Sequence, residues 1–219
     1  MTTESTELGL PVAGIIPFSA TDWPGRLTVT VFTQGCPWRC IYCHNPTLQQ
    51  VSAGAHDFSE VTTLLEHRRG LIDGLVISGG EPTMHRALPG AVREVHQRGF
   101  QVGLHTCGYA PIRLAALLDD ESTRPDWIGL DVKAQVSDLP GVVGCTPSAA
   151  ARSTAALSIV AEAAARTGME VQVRTTVWAG GVVERNLAAL RDHVAEYGFD
   201  LVVQQARGVG PDGHYRVSA

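Results

Sequence analysis

Three cysteines fall within eight residues, in the run Cys36-Pro37-Trp38-Arg39-Cys40-Ile41-Tyr42-Cys43, a C-x3-C-x2-C pattern. Thiolates are soft ligands that suit zinc or iron–sulfur clusters. Structural zinc takes four ligands, and the adjacent His44 is too tightly tethered to Cys43 to join it easily. Three thiolates on a four-iron cluster leave one iron open to bind a substrate, so the spacing favours a cluster over zinc. Three isolated core cysteines are the remaining reading. A second pattern is Ser78-Gly79-Gly80-Glu81-Pro82-Thr83. Paired glycines at a strand end let backbone approach a ligand closely. The plain alternative is an ordinary turn followed by proline.

Both patterns follow segments that read as strands. The run over 27–34 is β-branched and apolar and stops at Gly35. Further strands are predicted over 73–78, 100–105, 126–132, 169–177 and 200–205. Between them lie helical patterns over 59–68, 86–98 and 111–120, one from Thr146-Pro147 to Gly168, and one carrying Leu187, Leu190, Val194 and Tyr197 up to Gly198. The helix over 86–98 turns Leu88, Ala91, Val92 and Val95 to one side, and the long alanine-rich helix has the stripe Leu157, Val160, Ala161 and Ala164. Alternating β and α elements predict an α/β fold with a parallel sheet, right-handed crossovers and helical cover. Six units fit an open, partial barrel or a doubly wound sheet. The expected organisation is one domain over 13–208 between flexible tails at 1–12 and 209–219.

Composition narrows the class. The chain has 219 residues, 44% hydrophobic and 18% charged, which is globular and not disordered. A net charge of −5 argues against nucleic acid as the main partner. No apolar run reaches membrane-spanning length, and Met1 to Leu8 lacks the basic and apolar regions of an export signal. A cytoplasmic protein is expected, with no nucleic-acid or membrane partner. Five cysteines, an odd number, do not suggest a disulfide framework.

The C-x3-C-x-aromatic-C loop and the Gly-Gly-Glu turn together resemble the radical S-adenosylmethionine (SAM) enzymes. Asp22-Trp23-Pro24-Gly25 before the first strand, Gln34-Gly35-Cys36 entering the loop and Cys43-His44-Asn45-Pro46 leaving it are similar to the activating enzymes of glycyl-radical proteins. With Ser78 to Thr83, Asp131-Val132-Lys133-Ala134 and Arg174-Thr175-Thr176-Val177, the closest similarity is to activators of anaerobic ribonucleoside-triphosphate reductase. The resemblance spans about residues 14–207.

It implies a partial, open (β/α)6 barrel. It also implies that Cys36, Cys40 and Cys43 hold three irons of a [4Fe–4S] cluster whose fourth iron is chelated by SAM. Tyr42 would lie near the adenine, and Gly79, Gly80 and Glu81 would receive the methionine amino group. Asp131 and Lys133 would approach the ribose and the carboxylate. Thr106 falls in the same ligand set. Arg174 would pair with a SAM or partner carboxylate, or else stabilise the strand edge. The implied activity is that of an oxidoreductase: reductive cleavage of SAM to a 5′-deoxyadenosyl radical that makes a glycyl radical on a partner protein. The implied partners are that glycyl-radical protein and a flavodoxin- or ferredoxin-type electron donor.

A geometric check agrees. Cys36–Cys43, Gly79–Glu81, His105–Gly108, Asp131–Lys133, Arg174 and Gln205–Arg207 all fall at or near the C-terminal ends of predicted strands, where parallel α/β folds bind ligands. One departure stands out. Many activators read Asp-Thr-Asn-Gly where this chain has His105-Thr106-Cys107-Gly108. His105 is expected to contact SAM or simply to pack, Cys107 to be a plain buried thiol, and Cys145 to have no role. Trp23 and Trp38 should shield the cluster or face a partner, and His56, His67, His85, His96, His193 and His214 should face solvent. Two other functions remain open: a radical SAM enzyme for a small molecule, such as a deazapurine-type ring contraction, and a non-catalytic zinc module.

Overall fold

The computed structural model describes residues 9–216. It has seven strands in one sheet, in the order β1-β2-β3-β4-β5-β6-β7. They are β1 (Val12–Ser19), β2 (Thr28–Thr33), β3 (Gly74–Gly79), β4 (Gln101–Thr106), β5 (Trp127–Asp131), β6 (Glu170–Val177) and β7 (Leu201–Gln205). From β2 onward every pairing is parallel, while β1 runs antiparallel to β2. The six parallel strands match the six expected, and β1 and β7 leave the sheet open.

β1 is the strand the sequence reading lacks. Its run is broken by Gly14 and by Pro17, which has no N–H to donate. An edge strand tolerates both, and the register slips across Pro17, between Ile16 and Ser19. Just before it, Leu10 is buried in the core, so the expected tail at 1–12 is packed from Leu10 on; residues 1–8 lie outside the described residues. Of the expected tail at 209–219, Val209 and Tyr215 form a bridge.

The helices α1 (Phe58–His67), α2 (Leu88–Gln97), α3 (Pro111–Asp119), α4 (Leu139–Val143), α5 (Pro147–Ser153), α6 (Ala155–Thr167), α7 (Val182–Arg185) and α8 (Leu187–Ala195) lie between the strands. The long alanine-rich helix is therefore two, divided at Thr154, and α6 buries Ala156, Leu157, Val160 and Ala163 where the stripe was expected at Ala161 and Ala164. α2 buries Leu88, Ala91, Val92 and Val95 as its spacing requires. α4 and α7 are short elements without a readable period.

The main core joins the sheet to its helices. A second, small cluster of Trp23, Val76 and Trp127 lies apart from it. The Trp23 and Trp127 rings stack with centroids 5.7 Å apart. Gly103 makes room for them, because a Cβ there would lie 2.8 Å from Trp23. Within residues 20–27, which carry the Asp-Trp-Pro-Gly motif, Trp23 thus reaches into the barrel as a plug, while Pro24, Gly25 and Leu27 stay exposed. Trp23 does not flank the cluster loop.

Candidate active site

The cysteine loop leaves β2 through Gly35, whose φ of 108° is closed to most side chains. The loop is held from two sides. The Arg39 and Ile41 amides donate to the Val143 and Val142 carbonyls of α4 at 2.7 and 3.1 Å. On the other side the Tyr215 amide donates to the Ile41 carbonyl at 3.1 Å, and the Tyr215 ring meets His44 edge-on. Gly213 packs where a Cβ would lie 2.8 Å from Ile41, against Trp178. The C-terminal turn at 208–216 is thus a strap on the cysteine loop.

Cys36, Cys40 and Cys43 are free, half-buried thiols. Burial pushes the Cys36 thiol up to about 12 and raises that of Cys40, and the Lys133 ammonium works against both shifts. Partly buried thiols held protonated are poor groups by themselves and good ligands once a metal centre supplies positive charge. Among the described residues, no three His, Cys, Asp or Glu side chains converge tightly enough to hold a single metal ion. A four-iron cube takes each thiolate on a different iron, so its ligands need not meet at one point. The Tyr42 hydroxyl and the Trp38 indole N–H, both buried, have no protein partner beside this loop. The donor set fits a cluster better than zinc.

The Gly-Gly-Glu turn is built into the same mouth. A Cβ on Gly79 would lie 2.1 Å from the Thr33 nitrogen, and one on Gly80 would lie 1.9 Å from the Gly35 carbonyl oxygen. Both glycines therefore let the turn press on the base of the cysteine loop. Glu81 is buried, and its carboxylate accepts five hydrogen bonds. Oε1 takes the Thr83 amide and hydroxyl at 3.0 and 2.5 Å and the Thr106 hydroxyl at 2.5 Å, while Oε2 takes the Cys107 amide and thiol at 2.9 Å each. Thr106 thus serves Glu81, and Cys107, expected to be a plain buried thiol, is half-buried with its thiol donating to Glu81.

Asp131 ends β5 opposite Arg174 of β6. Arg174 Nε donates to Asp131 Oδ1 at 3.0 Å, and Lys133 Nζ lies 3.7 Å from Oδ2. Burial opposes the Asp131 charge, but Arg174 and then Lys133 outweigh it and hold the carboxyl below its usual range. Asp131, Lys133, Cys107 and Trp38 line a cavity of about 520 Å³, together with His193 of α8 and Tyr197 just after that helix. His105 faces Ser78, Asp22 and Arg174 inside the barrel.

Several expectations are corrected here. His56, His85, His96 and His193 are half-buried, and only His67 and His214 are exposed among the six. His96 is turned toward the Asp126 carboxylate, and His193 belongs to the cavity wall. Trp38 is buried with its ring edge-on to Tyr109 and lines the cavity, so it is no exposed surface for a partner. Cys145 is a half-buried free thiol two residues past α4. The roles of α4, α8 and the C-terminal strap carry no motif, and only the folded chain brings them to the site.

Residues 30–138 match the family model described as the Radical SAM superfamily. The chain carries a radical SAM domain. That family works with a [4Fe–4S] cluster and SAM. A Methanocaldococcus jannaschii protein, provisionally named as a glycyl-radical enzyme activating enzyme, is 27% identical over 179 residues, 75% of this chain and 67% of the relative. The pyruvate formate-lyase-activating enzyme of Staphylococcus aureus is 32% identical over 92 residues, 39% of this chain and 35% of the relative. The chain thus spans between about one third and two thirds of these relatives. In structure it is similar to Streptococcus suis SuiB bound to S-adenosylmethionine, with a TM-score of 0.59 at 13% identity over 85% of this chain and 42% of that one. That likeness concerns the fold, an α/β partial barrel. Among the described residues no helix is long and apolar enough to cross a membrane.

Proposed function

We propose that this radical SAM domain activates a glycyl-radical protein. The observation that carries the reading is the meeting, at one barrel mouth, of the three-thiol loop with the glycine turn and the Asp131–Lys133 pair. When bound, the cluster and SAM supply one-electron cleavage of the sulfonium C–S bond to methionine and a 5′-deoxyadenosyl radical, the agent that removes a hydrogen atom from a glycine Cα.

Cys36, Cys40 and Cys43 would ligate three irons and leave the fourth for SAM. Asp131, kept ionised by Arg174, would accept the ribose hydroxyls, and Lys133 would meet the ligand carboxylate. The Gly79-Gly80-Glu81 turn would take the methionine amino group. The Cys107 thiol is the weakest of the five donors on Glu81, and it is the contact such an ammonium would replace. Tyr42 would lie against the adenine, and Trp38 would exclude water from the cluster.

The substrate we propose is anaerobic ribonucleoside-triphosphate reductase, with a flavodoxin- or ferredoxin-type donor of the electron. Support comes from the Asp22–Gly25 and Cys43–Pro46 flanks and from the relatives named as activating enzymes. A glycine suits the chemistry, because it has no side chain to block approach and its Cα radical is stabilised by the flanking amides. Anaerobic incubation of the reduced protein with SAM and the candidate reductase should produce a doublet electron paramagnetic resonance signal. Changing the target glycine to alanine should abolish it. SAM turnover driven by a small molecule, with no protein radical in any candidate, would replace this reading.

A further inference from the structure

A polar chain crosses the barrel interior beneath the ligand cavity, and the chemistry above leaves its central member without a task. His105 of β4 pairs in register with Gly129 of β5. Its Nε2 lies 2.7 Å from the Asp22 carbonyl oxygen of the plug. A carbonyl can only accept, so Nε2 carries a proton, and Nδ1 is left to accept from the Ser78 hydroxyl at 3.2 Å. The ring is then a neutral tautomer fixed at both nitrogens.

Arg174 reaches back along this ring. Its Nη1 lies 3.2 Å from His105 Nε2, a contact of packing and not a hydrogen bond because both nitrogens carry protons, while its Nε donates to Asp131 and its Nη2 to the Gly129 carbonyl at 3.5 Å. Gly129 supplies the room between them, because a Cβ there would lie 2.9 Å from Arg174 Cζ. The guanidinium is thus confined by a ring edge, a bare glycine and one carboxylate oxygen. A cationic ring would repel it. Burial, and then the Arg174 charge, press the His105 pKa down to about 4.

We propose that His105 is a positioning residue: braced on the main chain of the plug, it confines the Arg174 guanidinium against Asp131 and so fixes the carboxylate that faces the ligand cavity. This rests on the reading of Asp131 as a SAM contact. His105 itself touches no ligand in this arrangement. Its removal lets the guanidinium swing into the barrel and leaves Asp131 Oδ1 without a fixed partner.

The test uses the anaerobically reconstituted full chain and two readouts. Calorimetric titration with SAM should show His105→Ala weakened about tenfold, the worth of one hydrogen bond to a charged group. His105→Gln, which keeps bulk beside the guanidinium and an amide that can still donate to the Asp22 carbonyl, should recover most of that loss. Adding His105→Ala to Asp131→Asn should cost nothing further, because both changes act through one carboxylate. The second readout needs no ligand. The Arg174 Nε–H resonance should be protected from exchange in the natural chain and in His105→Gln, and lost in His105→Ala.

Unchanged SAM affinity in His105→Ala, or a full tenfold loss added to that of Asp131→Asn, overturns the proposal. Should His105→Ala not fold, Gly129→Ala crowds the same guanidinium from the other side. It must weaken SAM without adding to Asp131→Asn, and additivity there overturns the proposal equally. Should the natural chain not bind SAM, the functional reading fails by itself. The Arg174 resonance then still decides whether His105 holds the guanidinium.

Discussion

At the scale of single residues, the cysteines divide into two groups with different expected losses. Cys36→Ala, Cys40→Ala and Cys43→Ala each remove a thiolate that no spare ligand replaces. After anaerobic reconstitution, iron content and visible sulfur-to-iron absorption should collapse in all three. Cys107→Ala and Cys145→Ala should keep both. A colourless Cys107→Ala protein would make Cys107 a ligand and displace the loop assignment. His105 carries a prediction of another kind. Its folded pKa of about 4 lies below the ordinary 6.5, so between those values the unfolded chain takes up a proton that the folded chain refuses. The stability it contributes is complete above pH 6.5 and falls as pH drops toward 4, by up to about 3 kcal/mol. Urea melts of His105→Gln should show a shallower acid loss over that window; an identical slope would mean the ring is charged or wet. The cysteine spacing and the paired glycines were legible because chain neighbours fix them. The bond between His105 and the Asp22 carbonyl was not, because it joins residues 83 positions apart.

At the scale of elements, the six parallel strands could be read because each is an apolar run bounded by turn residues. β1 could not, since Gly14 and Pro17 erase its pattern and only pairing with β2 stabilises it. Helix α6 shows a subtler miss. In an alanine-rich stretch every face is mildly apolar, so packing and not sequence chooses the buried stripe. The strap at 208–216 likewise has no period, yet it grips the loop of Cys40 and Cys43. Ending the chain at Arg207 should leave the barrel folded while the reconstituted cluster bleaches several-fold faster in air. Equal bleaching rates for the two chains would make the strap irrelevant to the cluster. Gly80→Ala tests the opposite kind of contact, a turn with no slack. The added Cβ meets the Gly35 carbonyl backbone at 1.9 Å, and a loss of roughly 3 kcal/mol is expected in thermal or urea unfolding.

At the scale of the whole molecule, one sheet orders everything. Because β2 to β7 all run the same way, the loops that follow them emerge at one end, and residues from 36 to 174 meet there. That convergence was readable before any coordinates, from strand ends alone. The openness was readable too, because six units are too few to close an eight-stranded barrel, whereas the antiparallel edge strand β1 was not. Stability should grade across it. Native-state hydrogen exchange should find the amides of Val76, Leu104 and Ile128 opening only with global unfolding, and those of β7 exchanging earlier, since β7 pairs on one side only. Uniform protection from β2 to β7 would mean that a further element closes the barrel.

The plug gives the molecule a direction. With Trp23 stacked on Trp127 inside the barrel and Asp22 bonded to His105, the interior is stoppered from the side where the strands begin. On the proposed function, SAM would load at the opposite end, the mouth that the protein partner would cover. SAM would then have to enter before that partner docks, and methionine and 5′-deoxyadenosine would wait until it left. Steady-state kinetics should in that case be of the compulsory-order type, with excess partner slowing turnover by sealing in the spent products.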